Sequence, residues 1–90
     1  MAMSGVQFKV MPDGVEVDLE ALKVTINSKI EEMDGIPSSV EEQPIAFGLK
    51  ALIFSFAYPE EKDVDQVNNA VNEVENVSSS EMIDYRRALG

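Results

Sequence analysis

Apolar and polar residues alternate with period two through Val6-Gln7-Phe8-Lys9-Val10, which sets Val6, Phe8 and Val10 on one face of a half-buried strand. The turn residues of Met11-Pro12-Asp13-Gly14 end it. The period then changes. Leu19, Leu22, Ile26, Ile30 and Met33 recur every three or four positions, the stripe of a helix lying on a sheet. Asp18 is placed as its N-cap, with Val17 and Leu22 spaced for a hydrophobic staple; such a cap contributes ~1 kcal/mol. Asp34-Gly35 supplies the stop.

From Ile36 to Tyr58 the chain is β-prone but broken by Pro44 and by Phe47-Gly48, which predicts two strands joined by a bend near Gly48. In the second, Ala51 to Tyr58, the large residues Leu52, Phe54, Phe56 and Tyr58 share one face. Ala51, Ile53, Ser55 and Ala57 share the other, as in a central strand covered heavily on one side. Pro59 closes it. Asp63-Val64-Asp65-Gln66 has capping-box spacing, and Val64, Val67, Val71 and Val74 continue as the stripe of a second helix. Valine is a mediocre helix former, so packing must hold this helix. Asn76 suits a left-handed C-cap, and Ser79 to Tyr85 alternates again as a last strand.

The order β-α-β-β-α-β, with right-handed crossovers, predicts a ferredoxin-like α+β fold: a four-stranded antiparallel sheet with both helices on one face. A chain of 90 residues, 44% hydrophobic, has material for one core, so residues 1–90 form a single domain. This fold hosts many unrelated activities, and function has to be sought in particular residues.

Composition removes most chemistry. There is no cysteine and no histidine, so thiolate nucleophiles, disulfides, His-activated serines and Cys/His zinc sites are excluded. Seventeen acidic against seven basic side chains give a net charge of -10, which repels phosphate backbones and anionic lipid. RNA-binding relatives of this fold need aromatics on a basic sheet face, which seven cations cannot supply. The N-terminus lacks a signal-peptide pattern and no apolar run approaches the ~20 residues of a membrane span, so the expected location is cytoplasmic. The acidic pairs Glu31-Glu32, Glu41-Glu42 and Glu60-Glu61 fall at a helix end, an edge strand or loop, and a turn, and read as solvated charge. No phosphate loop, dinucleotide turn or nucleophile elbow is present.

One segment stands apart. In Glu42-Gln43-Pro44-Ile45-Ala46-Phe47-Gly48-Leu49-Lys50-Ala51-Leu52 a proline and a glycine bracket an apolar tip with one phenylalanine, which either tucks into the core or is displayed. P-I-A-F-G-L-K-A-L, together with M-P and V-D-L-E-A-L early and the closing V-x-S-x-E-M-I-D strand, closely resembles the archaeal elongation factor 1-beta family, from about Phe8 to Arg87. The P-I-A-F-G-L-K block also resembles the P-[IV]-[AG]-[FY]-G-I-K-K block of the eukaryotic exchange factor.

The resemblance implies a guanine-nucleotide exchange factor for elongation factor 1-alpha, the GTPase that delivers aminoacyl-tRNA; the chain is expected to be a monomer when free and, from its composition, to use no cofactor, metal or covalent chemistry. The resemblance also implies partner contacts at Phe47, Gly48 and Lys50 in the bend, and at Arg86 and Arg87 at the end of the last strand. In the eukaryotic relatives a lysine near the C-terminus enters the magnesium site of the GTPase. Here Arg87 aligns with it, a forked cation in place of a point charge, followed by Ala88-Leu89-Gly90. Two other classes compete with this reading. A ferredoxin-like regulatory module would bind a small metabolite between paired domains, and a metal-dependent hydrolase would use clustered carboxylates.

Overall fold

A computed structural model describes residues 2–87 of the chain. The elements run β1 (Met3–Pro12), α1 (Leu19–Glu32), β2 (Ile36–Pro44), β3 (Lys50–Pro59), α2 (Asp65–Asn72) and β4 (Val77–Arg87). They build one antiparallel sheet in the order β2-β3-β1-β4, so β3 and β1 are central and β2 and β4 are edges. This is the ferredoxin-like arrangement expected from the element order.

Alternation along the central strands makes the core. Val6, Phe8 and Val10 of β1 meet Leu52, Phe54, Phe56 and Tyr58 of β3, and Leu22, Ile26 and Ile30 of α1 with Val67 and Val71 of α2 cover them from the same side. Phe8 and Phe56 pack edge to face with centroids 5.0 Å apart, a geometry that adds ~1 kcal/mol beyond the area buried. β1 begins earlier than its apolar alternation, at Met3, because Ser4 occupies a core-side position while polar. It is buried, and its hydroxyl donates to the Tyr85 hydroxyl at 2.9 Å. β4 likewise extends beyond Ser79–Tyr85 at both ends, since its partner β1 is long enough to pair with Val77 and with Arg87.

The ends of α1 form as the sequence dictates. Asp18 Oδ1 accepts from the Glu20 and Ala21 amides at 3.1 and 3.2 Å. At the other end Gly35 N–H donates to Ile30 O and Asp34 N–H to Glu31 O, a Schellman closure. Asp34 takes the left-handed conformation, φ 74°. Gly35 serves close packing instead, because a Cβ there would lie 2.5 Å from Ile30 Cγ2.

α2 is shorter than its valine stripe. It ends at Asn72; Val64 precedes it as N-cap without a side-chain bond, and Val74 packs on the core from the turn that follows. Asp63 still caps, accepting the Asp65 amide at 2.9 Å. Asn76 is left-handed at φ 74°, but it shapes the entry into β4 and not the helix end. The helix stops early where Asn72 turns its side chain to β4. Asn72 Oδ1 accepts from Ser80 N–H at 2.8 Å and Asn72 Nδ2 donates to Ser80 O at 3.0 Å, so one carboxamide pairs with an edge-strand residue as a neighbouring strand would.

Candidate partner-binding site

β2 and β3 pair down to Pro44 opposite Lys50. The chain between them closes tightly: Ile45 N–H donates to Leu49 O at 2.9 Å and Leu49 N–H to Ala46 O at 3.1 Å. The two central turn residues, Phe47 and Gly48, have φ 59° and 78°. Positive φ at both positions with this closing bond is a type I′ turn, which suits a right-twisted hairpin and favours Asn-Gly, Asp-Gly or Gly-Gly. Glycine fits the second position. Phenylalanine at the first does not, since a bulky residue in the left-handed region costs about 1–2 kcal/mol.

The Phe47 side chain is 95% exposed. It does not tuck into the core. Left-handed backbone and an apolar ring in water are both unfavourable, and neither contributes to the fold. Lys50, at the base of the turn, is ion-paired to Glu42 at 3.3 Å, and Glu42 also holds Lys23 of α1 at 2.9 Å. The hydrogen bond from Lys23 and then that from Lys50 hold the Glu42 carboxyl below its ordinary value, and Glu42 in turn raises the Lys23 ammonium. This bridge ties helix and hairpin together beneath the tip.

Arg86 and Arg87 lie at the other end of the sheet. They sit opposite Gly5 and Ser4, where Ser4 also faces Tyr58 of β3. From Lys50 to Tyr58 β3 spans roughly 26 Å at ~3.3 Å per residue. The five residues singled out in the sequence therefore form two groups: Phe47, Gly48 and Lys50 at one end, Arg86 and Arg87 at the other. Arg86 Nε meets Asp84 Oδ2 at 3.2 Å. The strand end is positioned by the Ser4–Tyr85 hydrogen bond and by a bulge at Ile83, which has no β1 partner between the pairs Phe8–Met82 and Gln7–Asp84. Beside Arg86, on the sheet face away from the helices, the small residues Gly5, Ser55 and Ala57 leave a shallow trough.

The acidic pairs stay apart, at the end of α1, on β2 and in the turn after β3. Among the described residues no three His, Cys, Asp or Glu side chains converge to hold a metal ion, and no helix is long and apolar enough to cross a membrane. Sequence reasoning missed Val15, which is 65% exposed beside the hairpin tip. A single valine in a turn has no periodic neighbours to mark it.

Fold and site together describe a small α+β domain that presents an apolar hairpin tip at one end of its sheet and a cationic strand end at the other. The chain belongs to the EF-1 guanine nucleotide exchange domain family, whose model matches residues 5–87. It is 38% identical over 86 residues to elongation factor 1-beta of Methanococcus maripaludis, covering 93% of this chain and 96% of that one. It is 43% identical over 76 residues to elongation factor 1-beta of Thermococcus gammatolerans, covering 82% of each. These relatives support a nucleotide-exchange role in translation elongation. Among solved structures, the C-terminal domain of the MgtC protein from Mycobacterium tuberculosis matches with TM-score 0.70 at 10% identity, covering 89% of this chain and 85% of that one. The ACT domain from GTP pyrophosphokinase of Chlorobium tepidum matches at 0.63 and 9% identity, covering 88% and 96%. At such identities the likeness is one of fold.

Proposed function

We propose that this domain, acting in the cytoplasm as a single unit without covalent chemistry, accelerates GDP release from elongation factor 1-alpha by binding its nucleotide-free form more tightly than its GDP-bound form. Only that difference in affinity can shift the nucleotide equilibrium. The observation that carries the reading is Phe47: a fully displayed ring on a left-handed residue, in a position the fold alone would give to glycine or asparagine. Strain of this kind collects where function requires a side chain the backbone does not favour. Phe47 acts as an apolar anchor in a pocket of the GTPase, with Gly48 and Lys50 beside it. Arg86 and Arg87 reach a second point on the same partner, where Arg87 perturbs the magnesium and phosphate site electrostatically.

The test is release of a fluorescent GDP analogue from an archaeal elongation factor 1-alpha, at fixed magnesium, with substoichiometric amounts of this protein. Many-fold acceleration is expected. Phe47→Ala is expected to weaken the interaction by ~2 kcal/mol, roughly 30-fold. A folded Phe47→Ala protein with unchanged exchange removes the anchor, and an Arg87→Ala protein with full activity removes the electrostatic role.

A further inference from the structure

The hairpin tip has a neighbour. The turn after β1, residues 13–17, displays Val15 at 65% exposure. Asp13, Gly14 and Glu16 give that turn its local chemistry, and nothing in a turn of this kind calls for a β-branched apolar side chain at its crest. Exposed hydrophobic residues scattered singly are ordinary. Val24 on α1, 68% exposed, is one of these.

Val15 differs in where it stands. A Cβ built on Gly48 would lie 3.7 Å from Val15 Cγ1, ordinary van der Waals distance, so the two loops meet at the residue that follows Phe47. Pro12, Val17, Leu19 and Lys50 line the small cleft between them. Gly48 supplies the second positive φ of the turn, and Val15 stands within van der Waals reach of it. Phe47 and Val15 are two displayed apolar groups on adjoining loops at one end of the molecule, with Ile45, 39% exposed, on the hairpin itself.

We infer that Val15 is a second specificity-determining contact for the GTPase. The partner surface is a concave apolar site that takes the Phe47 ring and the Val15 isopropyl group together, so recognition reads the β1–α1 turn as well as the hairpin. This rests on the exchange-factor reading, which supplies the partner. Continuity with the Phe47 tip selects that same partner, and an apolar lining is the chemistry that gains from covering both groups.

Exchange assays titrating the protein against the GTPase separate the two readings. Val15→Ser and the nearly isosteric Val15→Thr are compared with Val24→Ser, Phe47→Ala and the Val15→Ser/Phe47→Ala double variant. Melting curves for each verify folding. Both Val15 variants are expected to raise the half-saturating concentration by about five-fold, the order expected when about one buried methyl group is lost from an interface, and Val24→Ser to leave it unchanged. Val15→Ser should have a smaller effect in the Phe47→Ala background, because contacts sharing one pocket couple. If Phe47→Ala impairs exchange while both Val15 variants match Val24→Ser, the Val15 contact is overturned and the exchange-factor reading survives. If Phe47→Ala has no effect, the hairpin site itself is overturned and Val15 with it.

Discussion

In the proposed exchange role, Phe47 sets stability against activity. Its φ of 59° is one that asparagine and glycine occupy at far lower cost, and its ring gains nothing from the fold because it is 95% exposed. Phe47→Asn is therefore expected to stabilise the domain by ~1 kcal/mol while impairing exchange as severely as Phe47→Ala. Gly48→Ala should do the reverse to stability, since Gly48 has φ 78° and alanine there is strained by ~1 kcal/mol. Denaturant midpoints read beside GDP-release rates check both. A Phe47→Asn protein no more stable than the parent would mean that the tip relaxes out of the left-handed region. Part of this was legible beforehand. Pro44 and Gly48 mark a bend and bracket an apolar tip, but sequence pattern leaves open whether the phenylalanine is buried or displayed. The choice depends on turn type, and turn type depends on the register of Pro44 against Lys50, which the flanking pattern does not specify.

At the scale of elements, the sheet has two edges that are managed differently. β2 is polar and carries Pro37 and Pro44 with Glu41 and Glu42, devices that discourage a further strand from pairing. β4 has no proline. Its Ser80 is covered by α2, where Asn72 pairs with both backbone groups and Asn68 accepts from the Ser80 hydroxyl at 2.8 Å. Asn72→Ala leaves the amide and carbonyl of a residue only 6% exposed without these partners, and is expected to destabilise the domain by about 1–3 kcal/mol. Asn72→Asp should recover only part of this, because a carboxylate accepts from the Ser80 amide but cannot donate to its carbonyl. Urea unfolding of the two variants decides; an Asn72→Ala loss within about 0.5 kcal/mol would mean that water satisfies Ser80 equally well. Element type and order could be read from periodicity because alternation and three-to-four spacing are local properties of the chain. The end of α2 could not. Its valine stripe runs on to Val74, while the helix stops where a side chain eight positions before Ser80 bonds to the next strand, a contact no periodicity records.

At the scale of the whole molecule, the two candidate contact points lie at opposite ends of a body whose longest axis is 42 Å. The central strands β1 and β3 hold them apart, paired without a register shift from Met3–Pro59 to Val10–Leu52. Such a sheet is a rigid spacer, so the two ends engage as one body and should contribute separately. Phe47 reaches no nucleotide in the proposed arrangement; its contact is made in the encounter and kept through GDP release, which is uniform binding. In the same arrangement Arg87 acts at the phosphate and magnesium site, where its charge repels the bound metal ion and that repulsion is relieved as GDP and the metal leave. Phe47→Ala should therefore raise the half-saturating concentration and leave the maximal release rate nearly unchanged, whereas Arg87→Ala should lower the maximal rate with little effect on half-saturation. Side chains this far apart with no shared partners should combine additively in free energy to within ~0.5 kcal/mol in the double variant. Titrated GDP release for the four proteins of this cycle tests the division of labour. Loss of maximal rate in Phe47→Ala, or strong coupling between the two substitutions, would show that the ends act as one contact and that the sheet transmits more than spacing.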